Sequence, residues 1–129
     1  LFRSLAGLRC LVVDDDAPVL EATAALLRQW GCQAEGVGTG HAAIERLGAP
    51  GAHFDAVLCD LQLGGEEDGM AVIDAARRLQ PGTLAVVVSG ATGPEMLQRL
   101  RQGGVLLLTK PVAPAKLRAL LSTRQGVVA

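Results

Sequence analysis

Short apolar runs alternate with amphipathic stretches about five times along the chain. The runs are rich in Val and Leu and have the length of buried strands, which is typical of a parallel sheet covered on both faces. They predict strands at 8–13, 32–37, 56–59, 84–88 and 105–108, and helices at 17–30, 39–47, 69–79, 93–102 and 114–123. Such alternation implies right-handed βαβ units. Five units fit a flavodoxin-like α/β fold with strand order 2-1-3-4-5 and five flanking helices.

Local signals mark several helix ends. Asp16 and Thr39 are suited to cap the first two helices, and Gly31 follows the end of the first. Thr92 and Glu95 form a T-x-x-E capping box before the fourth helix. An apolar stripe at helical spacing predicts the core-facing side of the first helix. Its members are Val19, Ala22, Leu26 and Trp30.

Length and composition narrow the function classes. The 129 residues, half of them apolar, fit one globular domain. We expect that domain to span residues 8–123, with 1–7 a linker or the tail of an upstream region and 124–129 a C-terminal tail. A formal net charge of −1 and few aromatic residues argue against nucleic-acid binding. The apolar runs are too short to span a bilayer, so we expect a cytoplasmic domain without membrane contact, even where the parent protein is membrane-anchored.

The three cysteines Cys10, Cys32 and Cys59 fall in or beside predicted strands. An odd number without a close-spaced pair argues against a disulfide framework and against a zinc site. We therefore expect buried, reduced thiols.

Four predicted strands are followed by chemically capable side chains. Asp14 and Asp15 follow the first strand, Asp60 the third, Ser89 the fourth and Lys110 the fifth. The carboxyl ends of parallel strands share one edge of the sheet, where ligands bind. Carboxylates that meet there must hold a cation, share a proton or repel one another. Hard oxygen ligands favour Mg²⁺, or Mn²⁺ in its place.

The same residues predict phosphoryl chemistry. Asp60 can act as a nucleophile that forms an aspartyl-phosphate. The backbone carbonyl of Gln62 can add a metal ligand. Lys110 can pair with one phosphoryl oxygen and the Ser89 hydroxyl can donate to another.

Four motifs carry a resemblance to a known family. They are VVDDD at 12–16, VLCDLQL at 57–63, VVVSGAT at 86–92 and LLLTKPV at 106–112. In this order and spacing the chain resembles a response-regulator receiver domain (CheY-like) of two-component signalling. The resemblance implies that Asp60 is the phosphoacceptor, that Asp14 and Asp15 are the metal-holding acidic pair, that Ser89 is the switch hydroxyl, and that the peptide bond after Lys110 is cis.

The chain departs from that family in two places. The loop LQLGGEEDG is one residue longer than usual, and Gly64 stands where a proline is common. Leu107 occupies the position where many receivers carry Tyr or Phe as a rotating switch. Together with KPVAPAKLRALL, the longer loop is most similar to receivers at the C-terminal end of hybrid sensor histidine kinases.

The resemblance implies a histidine kinase or histidine phosphotransfer protein as partner, and a homodimer through helix four, strand five and helix five. It implies a phosphoacceptor rather than an enzyme. Two other hypotheses stay open. A phosphatase using an aspartyl-phosphate needs a second Asp two residues after the nucleophile, where Gln62 stands. A phosphorylation-independent pseudo-receiver is favoured by Leu107 and the altered loop, and disfavoured by the intact Asp60 and Lys110.

Overall fold

Five strands and five helices alternate along the chain in the computed structural model, which describes residues 5–65, 67–90 and 92–125. They are β1 Arg9–Val13, α1 Ala17–Gln29, β2 Gln33–Val37, α2 Gly40–Leu47, β3 Ala56–Asp60, α3 Gly69–Leu79, β4 Leu84–Ser89, α4 Pro94–Gln102, β5 Leu106–Thr109 and α5 Pro114–Gln125. All strand pairs are parallel, in the order β2-β1-β3-β4-β5. The predicted fold is confirmed, with element ends displaced by two residues at most. None of the described helices is long and apolar enough to cross a membrane.

The sheet separates two apolar cores because successive residues of a strand face opposite sides. In β1, Leu11 and Val13 pack under α2 and α3, whereas Cys10 and Val12 pack under α1 and α5. Every residue of β3 is buried. The central strands are therefore fixed on both faces, and only their ends reach solvent.

The first helix buries a different side from the one that the sequence predicts. Its buried residues are Ala24 and Leu27, whereas Val19 is 41% exposed. Leu26 and Trp30 pack only partly against the core. The stripe prediction was wrong because Ala, Val and Leu occupy most of the helix surface, so periodicity alone does not select one face.

The N-cap residues predicted for α1 and α2 are confirmed, whereas the one predicted for α4 is not. Asp16 accepts the Val19 amide at 3.2 Å and Thr39 accepts the Ala42 amide at 3.0 Å, as expected. The helix α4 begins one residue later than predicted, with Gly93 as its N-cap and no side-chain cap bond. Thr92 therefore lies one residue too early to cap it, and the predicted capping box was wrong.

The three cysteines and Leu5, near the start of the described chain, are all buried. All three cysteines are free and buried, and burial raises the pKa of each thiol, most strongly for Cys10 and Cys59. Within the stretch expected to be a linker, Leu5 is fully buried and its amide donates to the Trp30 carbonyl at 3.2 Å.

Candidate functional site

Three carboxylates meet at the carboxyl ends of the central strands. Asp14 follows β1 and Asp60 ends the adjacent β3, and with Asp15 they bring oxygens within 4.8 Å of one another. Asp14 and Asp60 are each only 6% exposed, whereas Asp15 is exposed. The strand order predicted from the sequence places these residues together, and the structure brings them together.

Local backbone amides orient the two buried carboxylates. Asp14 Oδ1 accepts the amide of Asp16, two residues on, at 2.9 Å. Asp60 Oδ1 accepts the amide of Gln62 in the same way, also at 2.9 Å. Such turns fix a short acidic side chain against its own loop. These bonds do not use the second carboxylate oxygen of either residue, which can therefore contact another group.

Lys110 supplies the positive charge of the site. Its Nζ donates to Asp60 Oδ2 at 2.9 Å, and this bond raises the pKa of Lys110. Burial raises the pKa of Asp14, and the nearby charges of Asp60 and Asp15 add to this effect. Among the described residues, one ammonium therefore faces three carboxylates, and a hard cation would neutralise the excess negative charge.

The loop between β3 and α3 reaches across to the third carboxylate. The Gly64 amide donates to Asp15 Oδ2 at 3.1 Å. The loop ends at Asp68, which caps α3 by accepting the Ala71 amide at 3.0 Å. A contact across 49 residues of sequence leaves no local signal, and the prediction did not include it.

Ser89 and Leu107 lie on the neighbouring strands β4 and β5. Ser89 ends β4, is 2% exposed and pairs with Thr109 of β5. The Lys110 amide donates to the Ser89 carbonyl at 2.9 Å. Leu107, two residues before Thr109, packs against the core together with Met96 of α4. The Lys110–Pro111 peptide bond is cis, as expected.

A mostly apolar cleft opens beside Asp60. It has a volume of about 570 Å³ and lies between α1, the sheet and the start of α5. Val19 and Leu26 of α1 line it, together with Asp60 and Lys110. Leu117 of α5 lines the opposite side of the cleft.

The donor set fits a divalent cation of the Mg²⁺ type. All candidate side-chain ligands are carboxylate oxygens, and Mg²⁺ is usually bound by one or two carboxylates with water completing its octahedron. Gln62, at the position where a phosphatase needs a second Asp, has no acid–base group. The residue two positions after Asp60 therefore cannot act as the general acid–base group of such a phosphatase.

Comparison with known proteins agrees with this geometry. The response regulator receiver domain profile matches residues 10–122. A response regulator receiver protein of Anaeromyxobacter sp. (strain Fw109-5) is 33% identical over 109 residues, which cover 81% of this chain and 43% of that protein. The chain thus spans less than half the length of that relative.

Solved structures share the whole fold. A response regulator receiver protein from Sinorhizobium medicae WSM419 is 28% identical with a TM-score of 0.81, covering 95% of this chain and 98% of that one. A CheY-like receiver domain protein from Methanospirillum hungatei JF-1 is 24% identical with a TM-score of 0.82, covering 95% and 99%. The strand order, the acidic cluster at the strand ends and the profile match over 113 residues converge, and the chain belongs to the response regulator receiver domain family of two-component signalling.

Proposed function

We propose that this domain accepts a phosphoryl group on Asp60 from a phosphohistidine, in a reaction that requires Mg²⁺ or Mn²⁺. Receiver domains interact with histidine kinases or phosphotransfer proteins, and one of these is the proposed donor. The observation that carries the proposal is the 2.9 Å contact between Lys110 Nζ and Asp60 Oδ2 inside a cluster of three carboxylates. A structural ion pair would not need two further acids beside it.

The chain's own residues would hold the cation and the incoming phosphoryl group. Asp14, Asp15 and Asp60 would provide carboxylate ligands, and the Gln62 carbonyl would add a fourth oxygen. When bound, the cation neutralises the carboxylates and withdraws charge from the phosphoryl oxygens. The near-complete burial of Asp14 and Asp60 lowers the local dielectric, which strengthens these interactions.

The transfer itself needs one bond formed and one broken. An Asp60 carboxylate oxygen forms the bond to phosphorus while the phosphorus–nitrogen bond to the donor imidazole breaks, and the electron pair of that bond stays on the imidazole nitrogen. Lys110 exchanges its Asp60 contact for a phosphoryl oxygen. The Ser89 hydroxyl donates to a second phosphoryl oxygen, so that charge is spread over fixed donors.

The proposal extends to the fate of the signal. Movement of Ser89 towards the phosphoryl group would alter how Leu107 and Met96 of α4 pack against their shared core, and the α4–β5–α5 face would then bind a second copy of the domain. The receiver unit would comprise residues 8–123 of a cytoplasmic region in a hybrid histidine kinase. It would act as a phosphoacceptor and not as a turnover enzyme.

The test uses phosphoramidate, which carries a phosphorus–nitrogen bond, and acetyl phosphate. With Mg²⁺, intact-mass spectrometry should detect one added phosphoryl group in the wild type and none in Asp60→Asn. Asp68→Asn is the matched control, because Asn also caps a helix and this residue lies outside the carboxylate cluster. Equal labelling of Asp60→Asn, or labelling that persists in EDTA, would contradict the proposal.

A further inference from the structure

We propose that the backbone N–H of Gly64 positions Asp15 for cation binding, so that the loop after β3 is part of the metal site through a group that is not a ligand. This inference rests on the proposed function, since it assigns a role toward the same cation. Its basis is the 3.1 Å bond from the Gly64 amide to Asp15 Oδ2.

Asp15 differs from the other two carboxylates in how it is held. Asp14 and Asp60 are buried and each accepts an amide from its own loop. Asp15 is exposed, and within the described residues the hydrogen bond to its carboxylate comes from a different loop. Without that donor its side chain would sample several rotamers, and cation binding would have to order it.

Within the part of the loop that the structure describes, both ends of the loop that carries Gly64 are held by hydrogen bonds that need no cation. Its beginning is held by the Gln62 amide on Asp60, and its end by the Asp68 cap of α3. Near its end it approaches α2 so closely that a Cβ on Gly40 would lie 2.2 Å from the Glu67 carbonyl oxygen. The donor is therefore in place before the cation arrives, which is the condition for preorganising a ligand.

Substitutions of Gly64 can distinguish the effect of losing its N–H from the effect of adding a side chain. A Cβ on Gly64 would lie 3.4 Å from Asp15 Oδ2, an ordinary contact, and its φ lies outside the left-handed region. Alanine therefore fits and keeps the N–H. Proline, which is common at this position in the family's shorter loop, fixes φ and has no N–H to donate, so the bond to Asp15 is a feature of this chain's longer loop. Partners that orient a metal ligand typically contribute about 10–100-fold to metal affinity.

The experiment is a Mg²⁺ titration of the cation-free protein followed by ¹H–¹⁵N NMR, without any phosphodonor. We expect Gly64→Pro to weaken Mg²⁺ binding by about tenfold, the low end for an exposed contact, and Gly64→Ala to retain affinity within about twofold. A third variant replaces Gly64 by glycolic acid, so that an ester oxygen stands in place of the N–H. It should weaken Mg²⁺ binding at least as much as Gly64→Pro, because the donor is lost and the ester oxygen repels the Asp15 carboxylate, while the loop shape is kept.

The outcomes separate this inference from the proposed function. If the proline and ester variants bind Mg²⁺ as the wild type does, the inference is overturned while the proposed function stands. The inference is also overturned if Gly64→Ala loses as much affinity as the ester variant, since loop shape would then be the cause. A wild type that does not bind Mg²⁺ would overturn both.

Discussion

Replacing Asp14 by Asn should stabilise the cation-free domain. Asp14 is 6% exposed and has carboxylate neighbours within 4.8 Å on two residues. Burial and those two charges raise its pKa, which means that ionisation of Asp14 is unfavourable in the folded state. Asn has nearly the same shape and keeps an oxygen to accept the Asp16 amide. The substitution therefore removes charge with little change in packing.

The size of the effect follows from the geometry. Two unit charges 4.8 Å apart repel by about 0.9 kcal/mol in bulk water and by about 3.5 kcal/mol at an effective dielectric constant of 20. Asp14 has two such neighbours, while the Lys110 ammonium lowers the cost. We expect a net gain of about 1–2 kcal/mol in the free energy of unfolding. For a domain of this size the melting temperature should rise by about 3–8 °C.

The dependence on pH has a definite sign. Because the pKa of Asp14 is raised in the folded state, the folded protein holds this proton more tightly than the unfolded chain does. Ionisation of Asp14 therefore costs stability as the pH rises from the ordinary Asp pKa through the raised folded value. The difference between variant and wild type should be complete above the raised pKa of Asp14 and should vanish below the ordinary Asp pKa.

Urea denaturation in EDTA at a series of pH values measures this difference, with Asp16→Asn as the matched control. Asp16 caps α1, and Asn caps equally well, so the control should change stability little. Adding Mg²⁺ should stabilise the wild type but not Asp14→Asn, because only the intact site gains from binding. A variant that is no more stable than wild type in EDTA, or a gap that persists at low pH, would refute the reasoning.

Three further predictions concern the site, the loop and the first helix. Lys110→Ala should slow phosphorylation by acetyl phosphate about 100-fold, because a positioned charge donor is lost, and an unchanged rate in a time course would contradict the assigned role. Gly69→Ala should cost about 2–4 kcal/mol, since its Cβ would lie 2.4 Å from a backbone carbonyl oxygen. Gly90→Ala should shift the urea midpoint little, because no described atom lies within 4 Å of its Cβ. Equal destabilisation by Gly69→Ala and Gly90→Ala would contradict the predicted clash at Gly69. Leu27→Ala should cost about 2–5 kcal/mol because Leu27 is fully buried. Val19→Ala should cost less than about 0.5 kcal/mol. If Val19→Ala instead lowered the melting temperature more than Leu27→Ala, the stripe predicted from sequence would be the buried face of α1.

Most of the fold and the convergence of the site could be predicted from sequence because both depend on strand order. Once β1 and β3 are neighbours, the residues that follow them must share an edge, so Asp14, Asp15 and Asp60 meet whatever the helices do. Buried strands also have a strong local signal, since every residue of β3 is apolar except the terminal Asp60. Strand order and the position of each carboxylate at a strand end were sufficient to predict that the three carboxylates meet.

Features that depend on competition between similar residues could not be predicted. In α1 the buried pair Ala24 and Leu27 and the exposed Val19 are all apolar, so periodicity alone does not decide which face is buried. At α4 the signal from Thr92 was outweighed by a helix start one residue later, where Gly93 is the N-cap. Periodicity and capping motifs identify a helix, but neighbouring elements decide its face and its first residue.

The electrostatics of the site connect its stability with its chemistry. Within the described residues, Lys110 Nζ pairs with one of three clustered carboxylates, and the fold holds the others by backbone amides that orient charge without neutralising it. Full neutralisation by the protein, for instance by two further ammonium groups, would make the cation-free domain more stable and would remove the reason for a cation to bind. The residual repulsion that makes Asp14→Asn stabilising is therefore the same free energy that a bound cation recovers. A site that binds a cation tightly enough for phosphoryl transfer must, by this argument, lower the stability of its own cation-free state.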